Sequence, residues 1–253
     1  MQIDLNCDMG EGFGVYPLGA DEALMPLFTS ANIACGFHAG DPVVLDRTVA
    51  LAKQYGVAVG AHPGYPDLAG FGRRGMNLSP LEIQDAVLYQ IGALSAFCRA
   101  HQVALVHVKA HGALYNSAAT DAVVAQAIAR GAASFDRQLV LVGLASSQAM
   151  AAAAAQAGLL YAAEAFADRT YNPDGTLQSR QVPGSLITDT ERCARQAVGI
   201  VHGRLLAYDG TELRITAQTI CLHGDNPSAV PNALAVRSAL SAAGVTIARM
   251  SPG

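Results

Sequence analysis

Four of the seven histidines end an apparent strand and are followed within two residues by glycine: His38-Ala-Gly40, His62-Pro-Gly64, His111-Gly112 and His223-Gly224; His202-Gly203 instead ends a helical pattern. Each stands just after a short apolar run. Charged residues accompany them: Asp8 and Glu11 in NCDMGEGFG, Asp41 in NIACGFHAGD, Lys109 in VHVKAHGALYN, and Asp225 in CLHGDNPS. A further run, EAFADRTY, supplies Glu164, Asp168 and Arg169. Carboxylates and imidazoles can take a proton from water. Lysine and arginine can steady an oxyanion or hold a substrate carboxylate or phosphate. The set favours hydrolysis or acyl-group chemistry. Glycine beside each histidine lets the backbone turn sharply or approach a ligand closely.

Each residue also has a structural reading. A single histidine after a strand is commonly a packed, hydrogen-bonded residue; four in register argue for a shared site. Asp41, just before Pro42, fits a helix N-cap as well as a substrate contact. His101, His107 and His202 fit structural roles, two near helix ends and one inside a strand. Cys7, Cys35 and Cys221 fit buried packing. Arg73 and Arg74 in GFGRRGMN offer anion binding or a solvated loop tip. GEGFG (10–14) lacks the lysine and spacing of nucleotide loops, yet its amides could cradle an anion. No HxH, HExxH or HxxxH chelating pair occurs on one element, so no tightly bound metal is expected.

The elements that must carry these residues alternate. Apolar runs at 2–6, 31–35, 57–61, 104–109, 139–142, 160–164 and 218–222 read as strands. Between them lie helix signals: Asp41-Pro42 as a start and Gly56 as a stop, and a capping box at Ser79–Glu82 opening a helix to about His101. A second capping box is read at Thr188–Glu191, an Ala-rich helix ends at Gly158, and the last helix ends at Gly244. Seven strand-then-helix units predict a parallel sheet closed into a barrel, with a doubly wound open sheet as the alternative. In a barrel the C-terminal strand ends meet at one mouth, which would gather the histidines. LLAYDGTELRI reads as an inserted β-hairpin, and VTIARM as an extra strand. Residues 165–187 lack a regular pattern, and loops this long are usually functional.

Composition limits the alternatives. The chain is 51% apolar, 14% charged, and carries a net charge of −4 over 253 residues. That suits one large folded unit spanning 1–253 and gives no basic field for nucleic acid. No apolar run reaches the roughly 18 residues of a membrane span. Five cysteines without a CxxC pair, and an opening MQIDLNCDMGEG unlike a signal peptide, lead to the expectation of a cytoplasmic protein with reduced thiols.

The segments IDLNCDMGEGFG, NIACGFHAGDP, GAHPGYPDLAGFGRR, VKAHGALYN, AFADRTY and TICLHGDNP closely resemble the signatures of the LamB/YcsF family, over nearly the whole chain. The resemblance implies a seven-stranded, distorted (β/α) TIM-like barrel of the glycoside hydrolase/deacetylase type. It implies the A-type subunit of an ATP-dependent 5-oxoprolinase, which opens the lactam ring of 5-oxo-L-proline to L-glutamate. ATP with Mg2+ would be the co-substrate, and two further subunits, of B and C type, the partners. On this reading Asp8, Glu11, His38, His62, Lys109 and His111 are the catalytic candidates. Asp8, His38 and His62 would position and deprotonate water, and Lys109 and His111 would stabilise charge on the lactam oxygen. The substrate-binding candidates are Asn32, Asp41, Arg73, Arg169, Tyr171, His223 and Asp225. Two rivals remain: a metal-dependent deacetylase-like hydrolase, and a non-catalytic lactam- or carbohydrate-binding protein.

Overall fold

The first strand sets the architecture. Gln2–Met9 (β1) alternates Ile3, Leu5, Cys7 and Met9 with Asp4, Asn6 and Asp8, and all seven are buried. Successive side chains of a strand point to opposite faces. The apolar set packs outward into the main hydrophobic core, where each fully buried Ile, Leu or Met contributes roughly 1.5–3 kcal/mol. The polar set points inward and bonds across the barrel, as described below.

The computed structural model of the chain describes residues 1–250. β1 is followed by Ser30–Ala34 (β2), Ala58–His62 (β3), Leu105–Lys109 (β4), Val140–Leu144 (β5) and Leu160–Phe166 (β6). Arg204–Leu206 (β7) and Glu212–Arg214 (β8) precede Thr219–Leu222 (β9) and the short Thr246–Ile247 (β10). Parallel pairing runs β1-β2-β3-β4-β5-β6-β9, and β9 pairs again with β1, closing a seven-stranded parallel barrel. The open-sheet alternative is thereby excluded. All seven expected strands lie in this barrel. β7 and β8 form the expected antiparallel hairpin, with Asp209-Gly210 in its loop. β10, the expected extra strand, pairs with the start of β1.

Helices cover the outside: Asp21–Leu24 (α1), Pro42–Tyr55 (α2), Pro80–His101 (α3), Gly112–Thr120 (α4), Ala122–Phe135 (α5), Gln148–Ala157 (α6), Thr190–Val201 (α7) and Ala229–Ala242 (α8). Their ends follow the chemistry of caps. Asp41 accepts from the amides of Val43 and Val44, and Gly56 closes α2 in the left-handed conformation. Ser79 and Glu82 make both bonds of a capping box. At α7 the cap is one residue later than expected. Asp189, not Thr188, accepts the first-turn amide, from Arg192 at 2.7 Å. Helices α4 and α5 are not anticipated from the sequence; α5 is capped by Asp121. Among the described residues no helix is long and apolar enough to cross a membrane.

One irregularity aims the site. The pairing of β3 with β4 shifts between Val59 and Gly60, so that Val59 faces Leu105 but Gly60 faces His107. The extra residue, Val106, is a bulge, a device that re-aims side chains. His107 lies over Gly60, and a Cβ built there would fall 2.0 Å from His107 Nε2. Gly60→Ala is therefore expected to lower stability by about 1–3 kcal/mol in urea unfolding, because the ring has to leave a packed interior. An unchanged midpoint would show that the ring moves freely.

Candidate active site

The interior of the barrel is a polar network with Lys109 at its centre. The ammonium lies 3.0 Å from Asp8 Oδ1 and 2.9 Å from Glu164 Oε1, and donates to Asn6 Oδ1 at 3.2 Å. Asn6 Nδ2 donates to Glu164 and Thr219. Asn32 Nδ2 donates to Asn6 Oδ1 and Asp8 Oδ1, while its Oδ1 lies 2.7 Å from His107 Nε2. Every one of these side chains is buried. Buried charges persist only when paired and hydrogen-bonded. Burial works against both ions, yet Asp8 holds Lys109 charged well above its ordinary value. Likewise His62 and Lys109 overcome burial and hold Asp8 well below the carboxylate range.

Above this network the strand ends open into a cleft of about 640 Å³. Its floor holds Asp8, Glu11, His62, Lys109, His111 and His223. His62 Nδ1 lies 2.8 Å from the Lys109 carbonyl, and its Nε2 3.4 Å from Asp8 Oδ2. Burial and the neighbouring Asp8 push Glu11 up to about 7. His223 faces Asp168: its Nδ1 is 3.0 Å from Oδ2, and its amide donates to the same oxygen at 2.8 Å. This bond fixes Nδ1 as the protonated nitrogen and leaves Nε2 as the free one. Such a carboxylate-oriented imidazole is a proton carrier by construction. A ring nitrogen of His223 lies within 4.8 Å of a carboxylate oxygen of Asp8.

The cleft lining also carries cations. Arg73, Arg169 and Arg180 all line the cleft. Arg73 Nη2 and Arg180 Nη1 both pair with Asp225 Oδ2, at 2.5 and 3.1 Å. Arg169 is held by the carbonyls of Gln178 and Ser185, within the irregular segment after β6. Burial and the charge of Arg180 draw Arg169 down to about 10. Arg73 and Arg180 share one carboxylate and Arg169 is held by backbone carbonyls, so this part of the cleft has unsatisfied demand for an anion.

The structure sorts the remaining candidates. His38 is buried beneath the cleft rather than lining it. It stacks on His111 with ring centroids 3.7 Å apart, and its Nε2 is 3.3 Å from Glu11 Oε1. Gly72, at a positive φ of 61°, packs against the His38 Cβ and the His111 ring, so no side chain fits there. Lys109 faces the cleft but already serves two carboxylates, which leaves it to position Asp8 rather than hold substrate. Asn32 is likewise occupied inside the network. Asp41 lies outside the cleft lining, with one oxygen on the α2 amides and the other on the Gly14 amide. That bond, and Gly10 donating to Asp21, use up amides that the glycine-rich loop was expected to offer an anion. Tyr171 is buried, accepting from the Phe166 amide at 2.6 Å, and anchors the base of the long loop. Asp225 organises the arginines. Of the arginine pair, Arg73 turns to the cleft, whereas Arg74 pairs with Asp67 and is exposed.

Sequence reasoning passes over Asn6 and Arg180 and leaves Glu164 and Asp168 without roles. The period-two polar set on β1 is the available signal for Asn6. Arg180 sits in a loop without pattern and has none. His107 is structural, as expected. Burial beside Lys109 lowers it to about 3, so it stays neutral.

The sequence profile of the LamB/YcsF family matches residues 3–253. The chain belongs to the LamB/YcsF family. A relative from Symbiobacterium thermophilum, named as the A subunit of 5-oxoprolinase, is 58% identical over 97% of this chain and 94% of its own. Another of that name, from Chloroflexus aggregans, is 54% identical over 98% of both. The crystal structure of a lactam utilization protein from Thermus thermophilus superposes with a TM-score of 0.92, at 49% identity, covering 98% of this chain and 99% of that one. Within this family barrel the Lys109 network is the element most exposed to substitution. Lys109→Met is expected to cost about 3–5 kcal/mol in chemical denaturation, by stranding Asp8 and Glu164 as buried unpaired charges. Adding Glu164→Gln should recover part of the loss. A cost near zero would remove Lys109 from the centre of the network.

Proposed function

We propose that this LamB/YcsF chain opens the lactam ring of 5-oxo-L-proline to L-glutamate as the A-type subunit of a 5-oxoprolinase. Two further subunits of B and C type complete the enzyme, with ATP and Mg2+ as its co-substrate. The observation that carries this reading is the polarity of the cleft. Arg73, Arg169 and Arg180 line the same cleft as buried carboxylates and imidazoles. A small molecule with a carboxylate at one end and an amide at the other fits that combination. The names of the relatives, each the A subunit of 5-oxoprolinase, support it.

On this reading Arg169 and Arg180 hold the substrate carboxylate, and the ring carbonyl lies over the floor. Ring opening adds the oxygen of water to the carbonyl carbon and breaks its bond to nitrogen. The nitrogen takes a proton and a second carboxylate results. Asp8 accepts the proton of the attacking water. Its Oδ1 is fixed by Lys109 and Asn32, which leaves Oδ2 toward the cleft. His223, held by Asp168 with Nε2 free, takes that proton over from Asp8 at Nε2 and passes it to the leaving nitrogen. An unactivated lactam resists attack. Transfer of the γ-phosphoryl group of ATP to the lactam oxygen releases ADP and activates the carbon; the first water adds there and the C–N bond breaks, leaving an acyl phosphate. The second water hydrolyses that acyl phosphate, so the products are glutamate, ADP and phosphate.

The test is glutamate formation from 5-oxoproline by this chain with its partner subunits, with and without ATP. Turnover should require all components. Asp8→Asn and Asp168→Asn should lower kcat by about 10²–10⁴-fold. Arg180→Ala should raise KM more than it lowers kcat. Ligand binding without turnover in the complete mixture would leave the binding-protein rival standing.

A further inference from the structure

Two backbone carbonyls dictate the tautomers at the floor of the cleft. His62 Nδ1 lies 2.8 Å from the carbonyl oxygen of Lys109, and His111 Nε2 lies 2.9 Å from that of Phe71. A carbonyl oxygen only accepts, so both of these ring nitrogens carry their protons. In a neutral imidazole the other nitrogen is then a bare lone pair. Those two lone pairs, on His62 Nε2 and His111 Nδ1, face each other at 3.0 Å. Glu11 Oε1 lies 3.4 Å from His111 Nδ1, and Asp8 Oδ2 lies 3.4 Å from His62 Nε2. With Asp8 and Glu11 ionised and both rings neutral, four acceptors converge with no donor among them. Either a proton has to sit between them, on a ring or on the Glu11 carboxyl, or a metal ion takes its place.

The spacing favours the ion. Ligand atoms around a tetrahedral ion with bonds of about 2.0–2.1 Å stand about 3.3–3.4 Å apart. Between the atoms that would ligate it, His62 Nε2 and His111 Nδ1 are 3.0 Å apart, and His111 Nδ1 and Glu11 Oε1 are 3.4 Å apart. Two imidazoles radiating from one such ion would place their centroids about 5 Å apart. Those of His62 and His111 are 4.9 Å apart, with the rings perpendicular. His38 does not belong to the same set, because its ring lies flat on His111 at 3.7 Å. Its place is behind the carboxylate, with Nε2 3.3 Å from Glu11 Oε1. A ligating histidine usually donates its other N–H to a backbone carbonyl or carboxylate, and a ligating carboxylate is itself hydrogen-bonded. The carbonyls of Lys109 and Phe71 and the ring of His38 supply that outer support for His62, His111 and Glu11 in turn.

We propose that His62 Nε2, His111 Nδ1 and the Glu11 carboxylate bind one divalent transition-metal ion of the zinc type, with a fourth position open to the cleft beside Asp8. Two nitrogens and one carboxylate suit zinc or its first-row neighbours rather than calcium or magnesium. The expectation of no bound metal rests on the lack of a chelating pair on one element. These ligands come instead from the ends of three strands, β1, β3 and β4. The proposal rests on geometry and stands whichever substrate the cleft takes.

The test uses the whole purified chain, stripped with a chelator and then titrated with Co2+ and with Zn2+. About one equivalent of either ion should bind. The Co2+ form should show visible d–d absorption, and zinc X-ray absorption should show two imidazoles among nitrogen and oxygen ligands at about 2.0–2.1 Å. His111→Gln and Glu11→Gln should each weaken binding by at least about 10-fold. His101→Gln, at the surface with Asp46, should leave it unchanged. No saturable uptake, uptake without imidazole scattering, or uptake indifferent to His111→Gln would overturn the site. The X-ray absorption is read on the unsubstituted chain, so a variant that fails to fold does not cloud the result. Metal uptake without ring opening would keep the site and sink the proposed activity; ring opening by a chain that takes up no metal would do the reverse.

Discussion

One ammonium group inside the barrel ties three strands together. Lys109 extends from β4 to Asp8 on β1 and Glu164 on β6, at 3.0 and 2.9 Å, with Asn6 as a third partner. A buried ion pair is weak evidence for stability, because desolvation offsets most of its attraction. Its value here is positional. An uncompensated carboxylate in this interior would protonate or draw in water; a compensated one stays ionised in a fixed rotamer. Asp8 thereby meets the cleft as a carboxylate with one oxygen committed and the other free. The floor of the site is built on that residue. The geometry of His62, and through it of His111 and Glu11, is set by contact with Asp8 and with the backbone of the same lysine.

The outer half of the fold follows from apolar burial, and that half is the part a sequence exposes most plainly. Ile3, Leu5 and Ile33 face the helices, and caps such as Asp41, Ser79 and Gly56 mark where those helices start and stop. The inner half is less plain. Parallel barrel strands ordinarily read as continuous apolar runs because both faces are buried. Here β1 carries Asp4, Asn6 and Asp8 inward, and reading the strand as a simple apolar run hides them. The alternation is visible in QIDLNCDM; what it cannot reveal is which partners satisfy it. Thr219, Asn32 and Glu164 meet Asn6 only through closure of the barrel.

The site is legible to the extent that strand ends converge. His62, His111 and His223 meet at one mouth, as their shared spacing before glycine implies. What spacing cannot supply is depth. His38 has the same sequence signature as the other three, yet it lies under the cleft, stacked on His111. Asp41 and Tyr171 carry chemistry-bearing groups that the fold uses for a helix cap and a loop anchor. Arg180 and Asp225 show the converse: a loop without pattern brings in an arginine whose partner lies 45 residues away. Such pairs are set by loop conformation, and only coordinates reveal them.

These interactions leave one cleft lined by guanidinium groups as well as by buried carboxylates and imidazoles. The most direct test is a crystal structure of the chain with 5-oxo-L-proline bound. The substrate carboxylate is expected against Arg169 and Arg180, and the lactam carbonyl over Asp8 and His223. A ligand seated with its carboxylate on the floor, or outside this cleft altogether, would contradict this placement.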